Sequence, residues 1–132
     1  MRYALDTNTL IYFFKGHGQV AGNLLATPPA EVTIPAVVVY EIETGIAKST
    51  DPNKRKGQLA ELLNAVTVLP FDVDSARRAA CLRARLERQG TPIGPMDTLI
   101  AGTALAHNAT LVTHNTAEFQ RVPALQLTDW FL

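Results

Sequence analysis

Tyr3-Ala4-Leu5-Asp6-Thr7-Asn8-Thr9-Leu10-Ile11-Tyr12-Phe13-Phe14 decides how the rest of the chain reads. Tyr3-Ala4-Leu5 is a short apolar run that stops at an acid, the pattern of a buried strand. Asp6, Thr7, Asn8 and Thr9 are all good helix N-cap types, and the apolar stretch Leu10–Phe14 follows them. A buried strand that passes straight into a helix is the opening of an α/β unit.

Outward from there the alternation repeats. Lys15-Gly16-His17-Gly18 ends the first helix, Val20–Ala26 is a second helical stretch, and Val32-Thr33-Ile34 is a second strand. Pro35 suits the first turn of a helix over Ala36–Lys48. Ser49-Thr50-Asp51-Pro52 opens another helix that runs to about Asn64, and Val66–Leu69 is a third strand. Asp72–Gln89 is a long helix stopped by Gly90, and Thr91-Pro92-Ile93-Gly94-Pro95 is a rigid loop. The small residues of Met96–His107 predict a helix packed closely on both sides. Leu111-Val112-Thr113 is a fourth strand and Leu125-Gln126-Leu127 a fifth. The pattern predicts an α/β fold, a three-layer sandwich with a mainly parallel central sheet, in a single domain over residues 1–132. In such sheets, sites form at the carboxyl ends of strands. Asp6, the helix after Pro35, and His114-Asn115 all follow strand ends and are expected at one edge.

Composition narrows the function. At 132 residues and 47% hydrophobic, the chain suits one core. A lone cysteine, Cys81, excludes an internal disulfide and a thiolate zinc cluster. The longest apolar runs, Leu10–Phe14 and Ala36–Tyr40, are far below the ~18 residues of a membrane span. Residues 1–15 lack the pattern of a signal peptide, so a cytoplasmic protein without a membrane partner is expected. Twelve basic residues balance twelve acidic ones, which excludes a globally basic nucleic-acid binder and leaves room for a local basic groove.

Four acids stand out, and each fits two roles. Asp6 fits a helix N-cap and a site carboxylate at a strand end. Glu41 falls inside the apolar arc of Val37, Val38, Val39, Ile42, Gly45 and Ile46, at about 100° per residue. It therefore points toward the sheet or its rim, as half of a buried ion pair or as a site residue. Glu43 falls beyond that arc and reads as a solvated acid. Asp97 occupies the first turn of its helix, as a macrodipole partner or as the one acid of an otherwise uncharged site helix. Glu118 follows the fourth strand in a short polar stretch. As a group, these carboxylates converge on one sheet edge with no Ser/His or Cys/His pairing beside them. Like charges that close demand a cation. Hard oxygen ligands without thiolate suit Mg2+, with Mn2+ as an alternative. The chemistry best served is phosphodiester hydrolysis.

With these residues in place the chain resembles the PIN-domain ribonucleases and, more narrowly, the VapC-type toxins of bacterial toxin–antitoxin modules. The resemblance rests on Leu5-Asp6-Thr7-Asn8, on Tyr40-Glu41-Ile42-Glu43-Thr44-Gly45, and on Arg83 through Gly90-Thr91-Pro92-Ile93-Gly94-Pro95-Met96-Asp97 to Ile100-Ala101. Leu111-Val112-Thr113-His114-Asn115, Glu118-Phe119 and Asp129-Trp130 complete it. It implies a magnesium-dependent endoribonuclease, inhibited by a cognate antitoxin and assembled as a homodimer. Asp6, Glu41 and Asp97 correspond to the family's metal-holding acids. Many PIN domains carry an aspartate where this chain has Asn115, so Glu118 is expected to reach back one helical turn and complete the site with it. This leaves a one-metal mechanism, or a second ion carried in with the RNA.

For RNA, Thr7 and Asn8 beside Asp6 are candidate contacts. Helical geometry sets Arg83 among Ala76, Ala79 and Leu86 on the inward side of its helix, where it would face the acids and bind phosphate; pairing with Glu87 is the alternative. Lys48 with Lys54-Arg55-Lys56, and the Arg77, Arg78, Arg85 and Arg88 face, are either RNA tracks or solvated surface. The expected substrate is a structured RNA with single-stranded loops, such as a tRNA. Two rivals remain: a non-catalytic PIN-like module that binds RNA or protein, and an aspartyl-phosphate hydrolase. The hydrolase would want an acid where Asn8 stands.

Overall fold

A computed structural model describing residues 1–132 gives thirteen elements. In chain order they begin β1 (Tyr3–Leu5), α1 (Thr7–Lys15), α2 (Val20–Leu25), a 3-10 turn (Pro29–Glu31), β2 (Val32–Pro35), α3 (Ala36–Lys48) and α4 (Asn53–Ala65). They continue β3 (Thr67–Leu69), α5 (Val73–Arg88), α6 (Pro95–Ala106), β4 (Thr110–Val112), α7 (Thr116–Phe119) and β5 (Leu127–Thr128). The strands form one sheet in the order β3-β2-β1-β4-β5, and every pairing is parallel. With right-handed crossovers, the reversal of direction after β3 puts α1–α4 on one face and α5–α7 on the other. The expected α/β sandwich is the observed one.

This strand order puts a switch point between β1 and β4. The chain leaves β1 toward β2 and β3, then returns to the other side of β1. A crevice opens there at the carboxyl ends of the two strands, where open α/β sheets bind ligands. Two hydrogen bonds close the junction beneath it. The Asp6 amide donates to Val112 O at 3.1 Å, and Thr9 Oγ1 donates to the same carbonyl at 3.0 Å.

The core explains why these short strands hold. Leu5, Ile34 and Leu111, on three neighbouring strands, are fully buried, as are Val38 of α3 and Ile100 of α6. At roughly 25 cal/mol per Å2 of apolar area removed from water, such burial dominates stability. α5 and α6 approach very closely at Gly102. A Cβ there would lie 2.7 Å from Ala79 Cβ and 2.9 Å from Ser75 O. The small residues of α6 thus serve close packing, as their composition predicts.

Two expectations need correction. The last strand is Leu127–Thr128, two residues later than the Leu125 start read from hydrophobicity. Ala124 takes a left-handed φ of 66°, so the chain is still turning there. The inward stripe of α5 is Ser75, Ala79, Leu82 and Leu86, which leaves Ala76 and Val73 exposed. Ser75 hides in an apolar stripe because its hydroxyl donates to Asp72 Oδ1 at 2.8 Å, so its burial costs no hydrogen bond. Periodicity counted over apolar residues alone misses such a serine, and the helix phase read from it is rotated.

Candidate active site

Asp6 is a helix cap that also stands at the crevice. It caps α1, accepting from the Thr9 amide at Oδ1 across 2.8 Å, and it is only 4% exposed at the β1–β4 crevice. Burial pushes its pKa up; hydrogen bonds from Thr113 and Thr9 oppose this, and the negative charge of Glu41 adds to it. Thr113 lies on the far wall, fully buried. Its hydroxyl serves Asp6 and also accepts the Asn115 amide at 3.0 Å. One side chain thus ties the first acid to the loop after β4.

Glu41 stands in the second turn of α3, half-buried as its helical angle predicts, while Glu43 is exposed. The Thr7 hydroxyl donates to Glu41 Oε1. Thr7 therefore works on the site's own carboxylate. Asn8, on the first turn of α1, is exposed.

Asp97 lies in the first turn of α6, whose N-cap is Gly94. Its pKa is pushed up to about 6, first by burial and then by the charges of Glu118, Asp6 and Glu41. A simple helix-dipole partner is stabilised as the carboxylate and shifts the other way. Glu118 does reach back: Asn115 Nδ2 donates to Oε2 at 2.6 Å, and the Gly94 amide donates to Oε1 at 2.9 Å. The four acids come from four segments of the chain and share one electrostatic neighbourhood.

No cation pairs with any of them. The ion pairs of the molecule are Met1–Glu31, Arg78–Asp74, Arg83–Glu87, His107–Asp72 and His114–Asp129, all elsewhere. Arg83 corrects an expectation. Its side chain is 72% exposed and bonds Glu87 at 2.9 Å, because α5 turns Leu82 and Leu86 inward and Arg83 out. It borders a small cleft with Pro92, Ile93, Pro95 and Thr98.

A divalent cation fits this donor set in charge and hardness. The carboxylates are uncompensated, and neither thiolate nor imidazole is engaged with them. As the side chains stand, no three His, Cys, Asp or Glu residues are arranged to hold a metal ion. Glu41 is turned to Thr7, and Glu118 to Gly94 and Asn115. Magnesium tolerates this, since it keeps several waters and is commonly held through one or two carboxylates.

Beside Glu41 runs a groove of about 480 Å3 between α1, α3 and α4. Its apolar lining includes Ile11, Phe14, Ile42 and Ile46, and Lys54 and Arg55 also border it. The Arg55 guanidinium lies 5.0 Å from the centre of the Phe14 ring.

Sequence reasoning missed two residues at the site. Thr113 showed only as a strand residue. Arg121, three residues beyond Glu118, donates from Nη1 to Pro92 O at 3.0 Å. Its i, i+3 spacing from Glu118 was the available signal.

The PIN domain matches over residues 3–125. The chain is similar to the tRNA(fMet)-specific endonuclease VapC of Salmonella typhimurium, with 31% identity over 98% of each chain. It is similar to Ribonuclease VapC2 of Rickettsia felis, with 36% identity over 98% of each. Among solved structures, a chain of VapBC2 from Rickettsia felis, crystallised bound to a DNA fragment from their promoter, superposes with a TM-score of 0.90. That match has 34% identity and covers 98% of this chain and 99% of the other. Family match, sequence identity and near-complete coverage agree: the chain belongs to the PIN domain family, in its VapC branch.

Proposed function

We propose that this protein is a magnesium-dependent endoribonuclease, with Mn2+ as an alternative ion, acting as the toxin of a type II toxin–antitoxin module. The observation that carries the reading is the uncompensated carboxylate set at the β1–β4 crevice, with Asp97 pushed up to about 6. Asp6, Glu41 and Asp97 hold the ion. When bound, magnesium supplies an activated water and positive charge against the phosphate.

The chain's own residues do the positioning. Thr7 keeps Glu41 directed through its hydroxyl. Thr113 and Thr9 hold Asp6 in place. Asn8 offers its exposed amide to the RNA backbone. Asn115 and Glu118, bonded to each other at 2.6 Å, complete the acidic edge and orient water or phosphate there. The substrate is a structured RNA whose unpaired loop reaches the crevice, a tRNA being the first to test. The catalytic reading is preferred over a binding module because all three metal-holding acids are present and unpaired.

A cognate antitoxin would lie along the groove beside Glu41. Its apolar lining suits an amphipathic segment, and the free carboxylates suit an arginine, whose guanidinium bonds carboxylates bidentately. We read the working form as a cytoplasmic homodimer.

The test is cleavage of a purified tRNA pool with Mg2+, with chelator, and with Asp97→Asn. Wild type should cut only with metal, and the variant should lose ~100-fold or more. Cleavage unaffected by chelator, or a folded Asp97→Asn protein of near wild-type activity, would overturn the assignment.

A further inference from the structure

Residues 91–94 lead into α6 and so set where Asp97 stands, yet no strand lies beside them. The Thr91 amide donates back to Leu86 O at 2.9 Å, and Gly94 O accepts the Thr98 amide at 2.9 Å within α6. Between these, Pro92 has no N–H to give. Its carbonyl and the Gly94 amide are free for partners from outside the loop.

α7 and the turn after it provide both partners. Arg121 Nη1 donates to Pro92 O at 3.0 Å, and Glu118 Oε1 accepts from the Gly94 amide at 2.9 Å. In extended chain, the carbonyl of one residue and the amide two residues on lie along the same edge. One donor and one acceptor, three residues apart, therefore take the place of a neighbouring strand. Their base is firm, because Phe119 and Val122 are buried at 1% and 3% exposure.

The two grips are unequal. Glu118 also belongs to the acidic edge, and any turn of its carboxylate toward a cation weakens its bond to Gly94. Arg121 carries no such second duty. We infer that Arg121 is a positioning residue: through Pro92 it holds the segment before α6, and with it Asp97, in place for cation binding. The inference rests on the proposed metal-dependent ribonuclease reading.

Arg121→Ala and Arg121→Lys test it against wild type. Three quantities are read: backbone hydrogen exchange of peptides covering residues 91–98, Mn2+ affinity by electron paramagnetic resonance, and kcat and KM on a fluorophore–quencher RNA hairpin with an unpaired loop. For Arg121→Ala we expect faster exchange in that segment. Mn2+ affinity and kcat should each fall on the order of 10-fold, the scale for residues that support a metal ligand. KM should stay within about twofold and the melting temperature within a few degrees, as for a surface substitution. Arg121→Lys, which keeps a donor, should recover part of each loss.

Unchanged exchange and Mn2+ affinity in Arg121→Ala would overturn the inference. So would a raised KM with unchanged kcat, which would make Arg121 an RNA contact. A lysine variant no better than alanine in exchange would also count against it. If wild type cleaves no RNA while the exchange and Mn2+ changes appear as expected, the ribonuclease reading falls and the positioning role stands.

Discussion

Asp97 and Glu118 face one another across Gly94: a Cβ on that glycine would lie 3.5 Å from Asp97 Oδ2 and 3.9 Å from Glu118 Oε1. Two carboxylates in that proximity, with no cation beside them, are the main electrostatic fact of the molecule. After burial itself, the charge of Glu118 acts most strongly on Asp97. This contact links function to stability in ways that can be measured.

The first consequence is a pH dependence of folding in chelator. Asp97 has a folded pKa of about 6, against an ordinary aspartate value of 3.8. Because the folded value is raised, its contribution to stability is fully present below the unfolded pKa and is lost as pH rises through about 6. Asp97→Asn removes that loss. In chelator near pH 7 the variant should melt a few degrees higher than wild type, for ~1 kcal/mol after allowing for solvent screening. The gap should close as pH falls toward about 4, where the carboxyl is protonated in the folded state and half-protonated in the unfolded one. A variant that melts lower at both pH values would show that Asp97 serves α6 alone.

Magnesium should reverse the order. Binding to the folded state alone adds RT ln(1 + [L]/Kd), so wild type gains what the variant cannot. At a concentration about 100 times Kd the gain is ~2.7 kcal/mol. Differential scanning fluorimetry across a magnesium titration checks this. Equal midpoint shifts in wild type and Asp97→Asn would remove Asp97 from the ligand set.

Thr7→Val tests the hold on Glu41. Valine keeps the shape and removes the hydroxyl that donates to Oε1. Cleavage should fall ~10-fold, typical for loss of a ligand's supporting hydrogen bond, with unfolding changed by less than ~1.5 kcal/mol. Thr7→Ser should stay close to wild type in the same assay. A fully active valine variant would mean that Glu41 needs no such support.

Gly102→Ala is a purely structural counterpart. The added methyl meets Ala79 Cβ at 2.7 Å and Ser75 O at 2.9 Å, and backbone cannot yield cheaply. Overpacking of this kind costs ~1–3 kcal/mol, readable as a lower urea midpoint. Adding Ala79→Gly relieves the methyl contact and should return part of that loss. No change in midpoint would mean that α5 and α6 are not so closely apposed.

Much of the fold and site is legible in the chain because the informative features are local. Tyr3-Ala4-Leu5 before Asp6 marks the central strand, since a three-residue apolar run ending in an acid has few other uses in a buried sheet. Glu41 is placed correctly from its angle alone, because the Val and Ile residues around it define the helix face sharply. Arg83 is misplaced for the opposite reason. α5 is rich in alanine, which marks neither face, and its true inward stripe contains a serine satisfied by Asp72. Arg121 and Thr113 are out of reach for a different reason. Their partners, Pro92 and Asp6, lie 29 and 107 positions away in the chain, and only the fold brings them together.

The central place of β1 also governs when the enzyme comes into being. β1 pairs with β2, made soon after it, and with β4, whose residues come at Thr110–Val112. Until β4 arrives, the innermost strand of the sheet is an open edge, and Asp6 lacks the wall that carries Thr113. Asp6, Glu41 and Asp97 have by then all been synthesised, yet they have no crevice to meet in. A nascent or prematurely terminated chain ending before Thr110 would therefore be harmless to the RNA around it, and sticky along its unpaired edge. The order of strands thus delays completion of the crevice until nearly the whole polypeptide has been made.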